Sequence, residues 1–300
     1  MSARMKRSGR RLAALAVALA AALVTMAVVT SPAYAVPGLQ KFQSLPSAND
    51  SKPTKTVHAD CPAGLRVLGG GGWIFTGGAD ADKVALTELR PVHPPSGVDQ
   101  YVVTAEEIIP NITSNWSVQA YVICSSPISG LSIVPNTGFS FASAADAFCP
   151  IGQVVLGSGG KVNNPAGHVK LTGATPESAG DRVITTVVED SSGATNVWSV
   201  TSYAVCAPRP AGYQVVFARS DLRASEPEKP AAVVCPVGTR VHGAAAIALT
   251  LETGGTGTSG AFALQVIYPF NALDRVQAFA VEIVPTSITW EVRAVAICAA

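Results

Sequence analysis

Charged residues are scarce in this 300-residue chain, in which Lys, Arg, Asp and Glu make up only 14% of the total. A disordered protein would combine few apolar residues with a large net charge, whereas 48% of these residues are hydrophobic and the formal charge is +1. A nucleic-acid-binding protein would need an excess of Lys and Arg to neutralise phosphates. The composition excludes both classes and predicts a compact protein with no nucleic-acid partner.

Motifs for catalysis and metal binding are missing as well. The chain has no His-Glu-x-x-His sequence, and its Gly69–Gly72 run is not followed by the Lys-Ser/Thr of a phosphate-binding loop. The six cysteines contain no Cys-x-x-Cys pair, and the four histidines do not supply a set of zinc ligands. We therefore expect no metal and no cofactor, and the sequence favours a protein that is not an enzyme.

The first 35 residues have the features of a secretory signal peptide. Basic residues precede an uncharged apolar run, Leu12 to Val29, and Ala33-Tyr34-Ala35 supplies small residues where a signal peptidase reads them. Cleavage after Ala35 would release a mildly acidic chain that begins at Val36. An uncleaved membrane anchor is the alternative, because about 18 apolar residues nearly span a bilayer. No later apolar run is as long, so we expect a secreted protein with no membrane contact after cleavage.

Three internal repeats follow the signal, over residues 36–126, 127–208 and 209–300. Each contains a Cys-Pro-x-Gly turn that leads into a glycine-containing segment: Cys61 to Gly69, Cys149 to Gly157 and Cys235 to Gly243. Each closes with a segment that runs from a Trp to a Cys: Trp116 to Cys124, Trp198 to Cys206 and Trp290 to Cys298. Fixed periods of this kind indicate repeated structural units.

All six cysteines fall at these repeated positions. Six cysteines can pair in 15 ways, but repeat symmetry favours Cys61 with Cys124, Cys149 with Cys206, and Cys235 with Cys298. An exported chain reaches an oxidising compartment, where such bonds persist. We therefore predict three disulfides, each inside one repeat.

The repeats are predicted to be all-β. In every Trp-to-Cys segment alternate residues are apolar or small, which is typical of a strand with one buried face. Trp and Cys have the same parity there, so we expect Trp116, Trp198 and Trp290 to be buried beside the cystines of their own repeats. The repeats are expected to pack into one closed, pseudo-threefold, prism-like domain, since closure removes sheet edges. The alternative is three small sandwiches in a row.

The repeat resembles a group of secreted bacterial and phage-borne proteins that carry Cys-Pro-x-Gly-x-x-Val-x-Gly-Gly-Gly and Trp-x-Val-x-Ala-Tyr-Ala-x-Cys. The match covers nearly all of residues 37–300 and implies no particular activity. Three cystine-bearing all-β repeats are also similar to the β-prism of vitelline membrane outer layer protein I and its lectin relatives. This second resemblance concerns architecture only, and it implies contact with glycans without identifying a site.

Acidic residues end a strand near the close of every repeat. Glu107, Glu189 and Glu282 each precede the repeat tryptophan by eight or nine residues. Paired carboxylates can act as general acid and base in glycoside cleavage, so these three are the candidate catalytic residues. A repeated position equally fits a structural requirement, such as a solvated strand end, and the repetition favours that interpretation.

The candidate binding residues are Trp73, Asn163 and Asn164. They stand in segments that differ most between repeats, at 73–83, 161–168 and 244–261, and variable loops on a fixed scaffold often carry function. We expect these segments to be loops and Trp73 to be exposed, so that its indole could stack on a sugar while the amides donate hydrogen bonds. Ordinary polar loop chemistry is the alternative.

These observations predict a secreted, non-catalytic binding or surface protein whose partner is a glycan or cell-envelope component. The first alternative is a secreted glycan-active hydrolase or transferase that uses the strand-end carboxylates. The second is a structural envelope protein or an inhibitor that binds protein partners.

Overall fold

A computed structural model describes residues 36–77, 82–108, 112–190, 192–221, 226–252, 255–257, 260–285 and 287–300, with backbone only at 252 and 255–257. The predicted signal peptide, residues 1–35, lies outside the described residues. The described residues all belong to one compact unit, which spans Tyr34–Ala300. Within the described part of the chain, no helix is long and apolar enough to cross a bilayer.

The fold is all-β, as predicted. Repeat 1 contains β1 (Gln40–Gln43), β2 (Thr54–Asp60), β3 (Arg66–Thr76), β4 (Val84–Val92), β5 (Gln100–Glu107) and β6 (Trp116–Ser125). Repeat 2 contains β7 (Ser132–Thr137), β8 (Ala144–Phe148), β9 (Gln153–Asn163), β10 (Val169–Pro176), β11 (Arg182–Glu189) and β12 (Ser199–Pro208). Repeat 3 contains β13 (Gln214–Arg219), β14 (Glu228–Val234), β15 (Arg240–Glu252), β16 (Gly255–Gly257), β17 (Phe262–Pro269), β18 (Arg275–Glu282) and β19 (Trp290–Ala299).

The strands form three sheets, and each sheet is shared by two repeats. Sheet 1 has the order β1-β6-β3-β17-β18-β14, sheet 2 the order β7-β12-β9-β4-β5-β2, and sheet 3 the order β13-β19-β15-β10-β11-β8, with β16 added beside β15. When the added β16 is left out of the count, each sheet joins the first, sixth and third strands of one repeat to the fourth, fifth and second strands of the preceding one. Repeat 1 follows repeat 3 in this cycle.

Three strand pairings, here called seams, close the cycle: β3 with β17, β9 with β4, and β15 with β10. Because none of the described sheets comes from one repeat alone, the repeats interlock in a pseudo-threefold, prism-like body and do not form three separate sandwiches. The predicted all-β, prism-like arrangement of three repeats is confirmed, but the predicted removal of sheet edges is not, because each described sheet stays open and ends in two edge strands. Each sheet buries its inner face against the other two, and antiparallel pairing within it satisfies the backbone.

The three predicted disulfides are confirmed as Cys61–Cys124, Cys149–Cys206 and Cys235–Cys298. In repeat 1, Cys61 follows β2 in sheet 2, while Cys124 lies on β6 in sheet 1. Each cystine thus ties together the two sheets to which its repeat contributes. Covalent links of this type are typical of extracellular proteins.

The repeat tryptophans are buried, but they do not lie beside their cystines. Trp116, Trp198 and Trp290 are at most 4% exposed. Trp116 stands at the start of β6 and Cys124 near its end. Eight residues of strand span about 26 Å at roughly 3.3 Å per residue, so equal parity places both on one face without bringing them together.

The glycine-rich strands are longer than the sequence predicted. Strand β3 runs through Trp73 to Thr76, β9 runs to Asn163, and β15 runs to Glu252. The prediction that loops begin at 73, 161 and 244 was wrong. It treated the glycine run as the end of the strand, although the aromatic and branched residues that follow it favour strand structure.

Glycines meet where the three repeats converge. Gly69, Gly157 and Gly243 end the repeated segments that begin at Cys61, Cys149 and Cys235, and their backbones lie against one another. A Cβ added to Gly157 would be 1.7 Å from the carbonyl oxygen of Leu68, and one added to Gly243 would be 2.5 Å from that of Leu156. Only a residue without a side chain fits at these contacts, so the shared glycine reflects the approach of three backbones.

One buried position next to these glycines breaks the repeat symmetry. His242 replaces the Leu68 and Leu156 of the other repeats and is fully buried. Its Nδ1–H donates to the carbonyl oxygen of Arg240 at 2.8 Å, and its Nε2 has no hydrogen-bond partner among the described residues. Burial lowers the pKa of His242 to about 4. Protonation would place an unpaired donor and a charge in the core.

We expect His242→Leu to remove a large part of the protein's sensitivity to acid. His242 stays neutral in the folded chain down to about pH 4, whereas the unfolded chain gains a proton near pH 6.5. Stability from this group is therefore complete above pH 6.5 and falls as the pH drops toward 4, by about 3 kcal/mol. Urea unfolding at pH 7 and pH 4 measures the change, with exposed His58→Leu as the control. An equal acid loss in wild type and His242→Leu would contradict this account.

Candidate functional site

A groove crosses the outer face of sheet 1 where repeats 1 and 3 meet. It has a volume of about 370 Å³ and is lined mainly by Trp73, Phe75, Val266, Gln277 and Phe279. Glu228 and Gln265 add polar groups to its lining. We call this feature the aromatic groove. Apolar and aromatic walls with a few polar groups are typical of ligand sites.

The strand register positions the side chains of this groove. Trp73 and Phe75 are two residues apart on β3, so both point outward, while Ile74 between them is buried in the core. Their rings are stacked, with centroids 5.3 Å apart and planes inclined by 5°. Across the seam Trp73 pairs with Val266, and Val266 pairs in turn with Phe279 of β18. Two parallel rings thus face a third ring across the groove.

Gly71 allows this seam to close. A Cβ added to Gly71 would lie 2.0 Å from the carbonyl oxygen of Ile267 on β17. The glycine therefore has a specific role in bringing β3 against β17, which places the aromatic residues of repeats 1 and 3 on one surface.

A second set of rings extends the aromatic surface along sheet 1. Tyr268 packs edge-on against Trp73, Tyr121 and Phe270, with centroid distances of 5.4, 4.9 and 5.0 Å. Lys41 of β1 holds its Nζ 4.0 Å from the Tyr268 centroid and 4.5 Å from that of Tyr121. Aromatic residues and a cation are therefore continuous with the groove.

The other two seams have different chemistry at the equivalent positions. At the β9–β4 seam Lys161 replaces Trp73, and its Nζ lies 3.6 Å from Oε2 of Glu88. At the β15–β10 seam Ile247 occupies that position and packs over Gly173. Among the described residues, an aromatic surface is thus found at one of the three related seams.

Asn163 and Asn164 do not join Trp73, because they lie at the end of β9 in sheet 2. The Asn163 amide donates to the hydroxyls of Ser199 and Thr201 at 3.1 and 2.9 Å. Asn164 donates to the carbonyl oxygen of Val197 at 2.9 Å. Trp73 itself is half-buried on a strand and is not the exposed loop residue that the sequence predicted.

The strand-end glutamates make contacts within their own repeats. Glu107 is 6% exposed, and its Oε1 accepts a hydrogen bond from the Trp116 indole at 3.3 Å. Glu189 accepts one from the backbone amide of Ala194, and Glu282 is 9% exposed. The repeated acidic position thus coincides with a local structural role at Glu107 and Glu189.

A second cavity of about 660 Å³ lies where repeats 1 and 2 meet. Its lining includes Glu106, Glu107 and His168 together with the hydroxyls of Ser51 and Thr54. Burial raises the pKa of Glu106, and His168 Nδ1 lies 3.0 Å from a carboxylate oxygen of Asp190. Of the three predicted glutamates, Glu107 is the one that lines a described cavity.

No cluster of three or more His, Cys, Asp or Glu side chains suited to a metal ion occurs among the described residues.

No protein-family profile matches the chain, and no curated protein is similar to it in sequence.

The sequence missed most of the aromatic groove. Phe75, Val266 and Phe279 come from β3, β17 and β18, and β3 is far from the other two strands in the chain, so no local pattern joins them. An alignment of the three repeats contains one signal. Trp73 aligns with Lys161 and Ile247, so an aromatic residue occupies this position in repeat 1 alone.

Proposed function

We propose that the protein is a secreted, non-catalytic binding protein that holds a glycan of the cell envelope in its aromatic groove. The observation that carries this proposal is the array of Trp73, Phe75 and Phe279 around one groove at one seam. The C–H groups of a sugar ring can pack on flat apolar rings. The Gln277 amide can donate and accept hydrogen bonds with sugar hydroxyl groups, and the Glu228 carboxylate can accept them.

Secretion is part of the same proposal. The predicted signal sequence and the three disulfides support an extracellular location. Val36, the residue that would follow the predicted cleavage site, donates its backbone amide hydrogen to the carbonyl oxygen of Ala300 at 3.1 Å.

We expect Trp73→Ala to weaken glycan binding at least about ten-fold while the chain stays folded. The variant removes the ring that stacks on Phe75 and contacts Tyr268, and a ten-fold loss corresponds to about 1.4 kcal/mol. The measurement is a glycan array followed by pull-down on insoluble cell-wall polysaccharide, with thermal unfolding in parallel. Phe217→Ala is the matched control, because Phe217 is an exposed aromatic residue on sheet 3.

Two outcomes would contradict the proposal. The first is that the wild-type protein binds no glycan in either assay. The second is that Trp73→Ala binds the glycan as tightly as Phe217→Ala does.

Hydrolysis of the glycan is the second candidate, and the cavity lined by Glu106 and Glu107 favours it. A carboxylic acid with a raised pKa can protonate a leaving group while a neighbouring carboxylate acts as base or nucleophile. Release of reducing ends in the same incubations, abolished in Glu106→Gln, would assign hydrolysis in place of binding.

A further inference from the structure

Lys41 lies on the aromatic surface in a position that leaves its charge without a counter-ion. Strand β1 pairs with β6 so that Lys41 stands opposite Ile123, and its side chain crosses the rings of Tyr121 and Tyr268. Its Nζ donates to Oδ1 of Asn271 at 2.9 Å. The ammonium group is therefore fixed by two rings and one neutral amide.

Two other lysines that are not exposed, Lys55 and Lys161, have acidic partners. Lys55 Nζ lies 2.8 Å from a carboxylate oxygen of Asp50, and Lys161 Nζ lies 3.6 Å from one of Glu88. Among the described residues, no carboxylate lies within ion-pair distance of Lys41. Burial lowers the pKa of Lys41 to about 8, which reflects the loss of water around an unneutralised charge. An anion on the solvent side would restore that lost solvation.

Charge is distributed unevenly along this surface. Arg275 packs its guanidinium 4.0 Å from the Phe270 centroid, next to the rings that hold Lys41. Asp274 lies 4.0 Å from Arg275 and offsets its charge in part. The acidic side chain that lines the groove, Glu228, belongs to β14, the edge strand opposite β1 in sheet 1. A ligand that spans the surface thus meets a positive end at Lys41 and a negative one at Glu228.

We propose that the ligand is an anionic polysaccharide whose carboxylate or phosphate group pairs with Lys41 while its sugar rings lie on Trp73 and Phe75. This inference rests on the proposed function and specifies its ligand class. An ammonium group has three donors, and Asn271 takes one, so two remain for an acidic oxygen. Tyr268 contacts both Lys41 and Trp73, which places the acidic contact next to the stacking contact.

The test compares polymers that differ only in their acidic group. Binding of wild type is measured by calorimetry to polygalacturonate and its methyl ester, and to phosphorylated mannan and unmodified mannan. We expect at least one acidic polymer to bind about ten-fold more tightly than its neutral form, with weaker binding as salt rises. Carboxylate and phosphate sources are distinguished by which pair shows the preference.

Lys41→Gln should remove the preference, so that the acidic and neutral forms of each polymer bind this variant equally. Lys41→Arg should retain the preference, and Lys52→Gln serves as the matched control because the Lys52 side chain is 76% exposed. Equal binding of acidic and neutral forms, no binding of any of the four polymers, or a preference that survives Lys41→Gln would overturn this inference. If neutral polymers bind through Trp73 without any acid preference, the proposed function stands and only this inference fails.

Discussion

Replacement of Gly157 by alanine should prevent folding or severely lower the free energy of unfolding. The added methyl group would lie 1.7 Å from the carbonyl oxygen of Leu68, in a backbone of another repeat that is itself held by the cystine-linked sheets. Overpacking usually costs about 1–3 kcal/mol and sometimes more. Here the contact is with rigid backbone at the meeting point of three repeats, so we expect a loss above that range.

Urea unfolding monitored by tryptophan fluorescence measures this effect. Gly77→Ala is the matched control, because a Cβ at Gly77 meets no atom within 4 Å and the residue follows the end of β3. A Gly157→Ala protein that unfolds at the wild-type urea concentration would contradict the proposed convergence of the three glycines.

Truncation of a repeat tryptophan should have the next largest effect. Trp290 is fully buried and stacks on Phe262 at a centroid distance of 4.5 Å. Lys229 lies 4.8 Å from the Trp290 ring centroid and donates to the Trp290 carbonyl oxygen at 2.8 Å. Trp290→Ala leaves a cavity and removes the ring from a buried cation, so we expect a loss of about 3–5 kcal/mol.

The same unfolding assay measures this loss. Trp290→Phe keeps a ring against Phe262 and should lose less, while Phe217→Ala removes an exposed ring and should change the unfolding free energy by less than about 0.5 kcal/mol. If Trp290→Ala were as stable as Phe217→Ala, the assignment of Trp290 to the buried face of β19 would be wrong.

The sequence was sufficient to predict the parts of the fold that repeat. Cysteines at matched positions predicted the disulfides, and period-two segments such as Trp116 to Cys124 predicted strands with a buried face. The proline and glycine of each Cys-Pro-x-Gly turn determine the backbone conformation of that turn alone. They can therefore be recognised without knowledge of the packing.

The sharing of each sheet between repeats was harder to predict in detail. Each seam rests on one or two aligned residue pairs, such as Trp73 with Val266 and Gly173 with Ile247. So few cross-repeat pairs leave no periodic signal in the chain. The convergence of Gly69 with Gly157 and Gly243 does leave one, namely a glycine at the same place in every motif, but its role depends on the threefold arrangement.

The aromatic groove and His242 show why positions that differ between the repeats escape a repeat-based analysis. A comparison of the repeats predicts the structure that all three share. Trp73, Lys41 and His242 differ from the residues at the equivalent positions of the other repeats, so this comparison does not predict their environment. His242 occupies a leucine position of the motif, and this difference is visible in the printed sequence. Its burial and its unpartnered Nε2, however, follow only from the packing around it.

The central claim, that a glycan occupies the aromatic groove, is tested most directly by the indole signals in a ¹H–¹⁵N spectrum. The chain has four tryptophans, so four indole signals are expected, and the Trp73 signal is identified by its absence in Trp73→Phe. On titration with the polysaccharide that binds best in the array, we predict that the Trp73 signal shifts. The signals of buried Trp116, Trp198 and Trp290 should stay in place. A saturated complex in which the Trp73 signal has not moved would contradict the account.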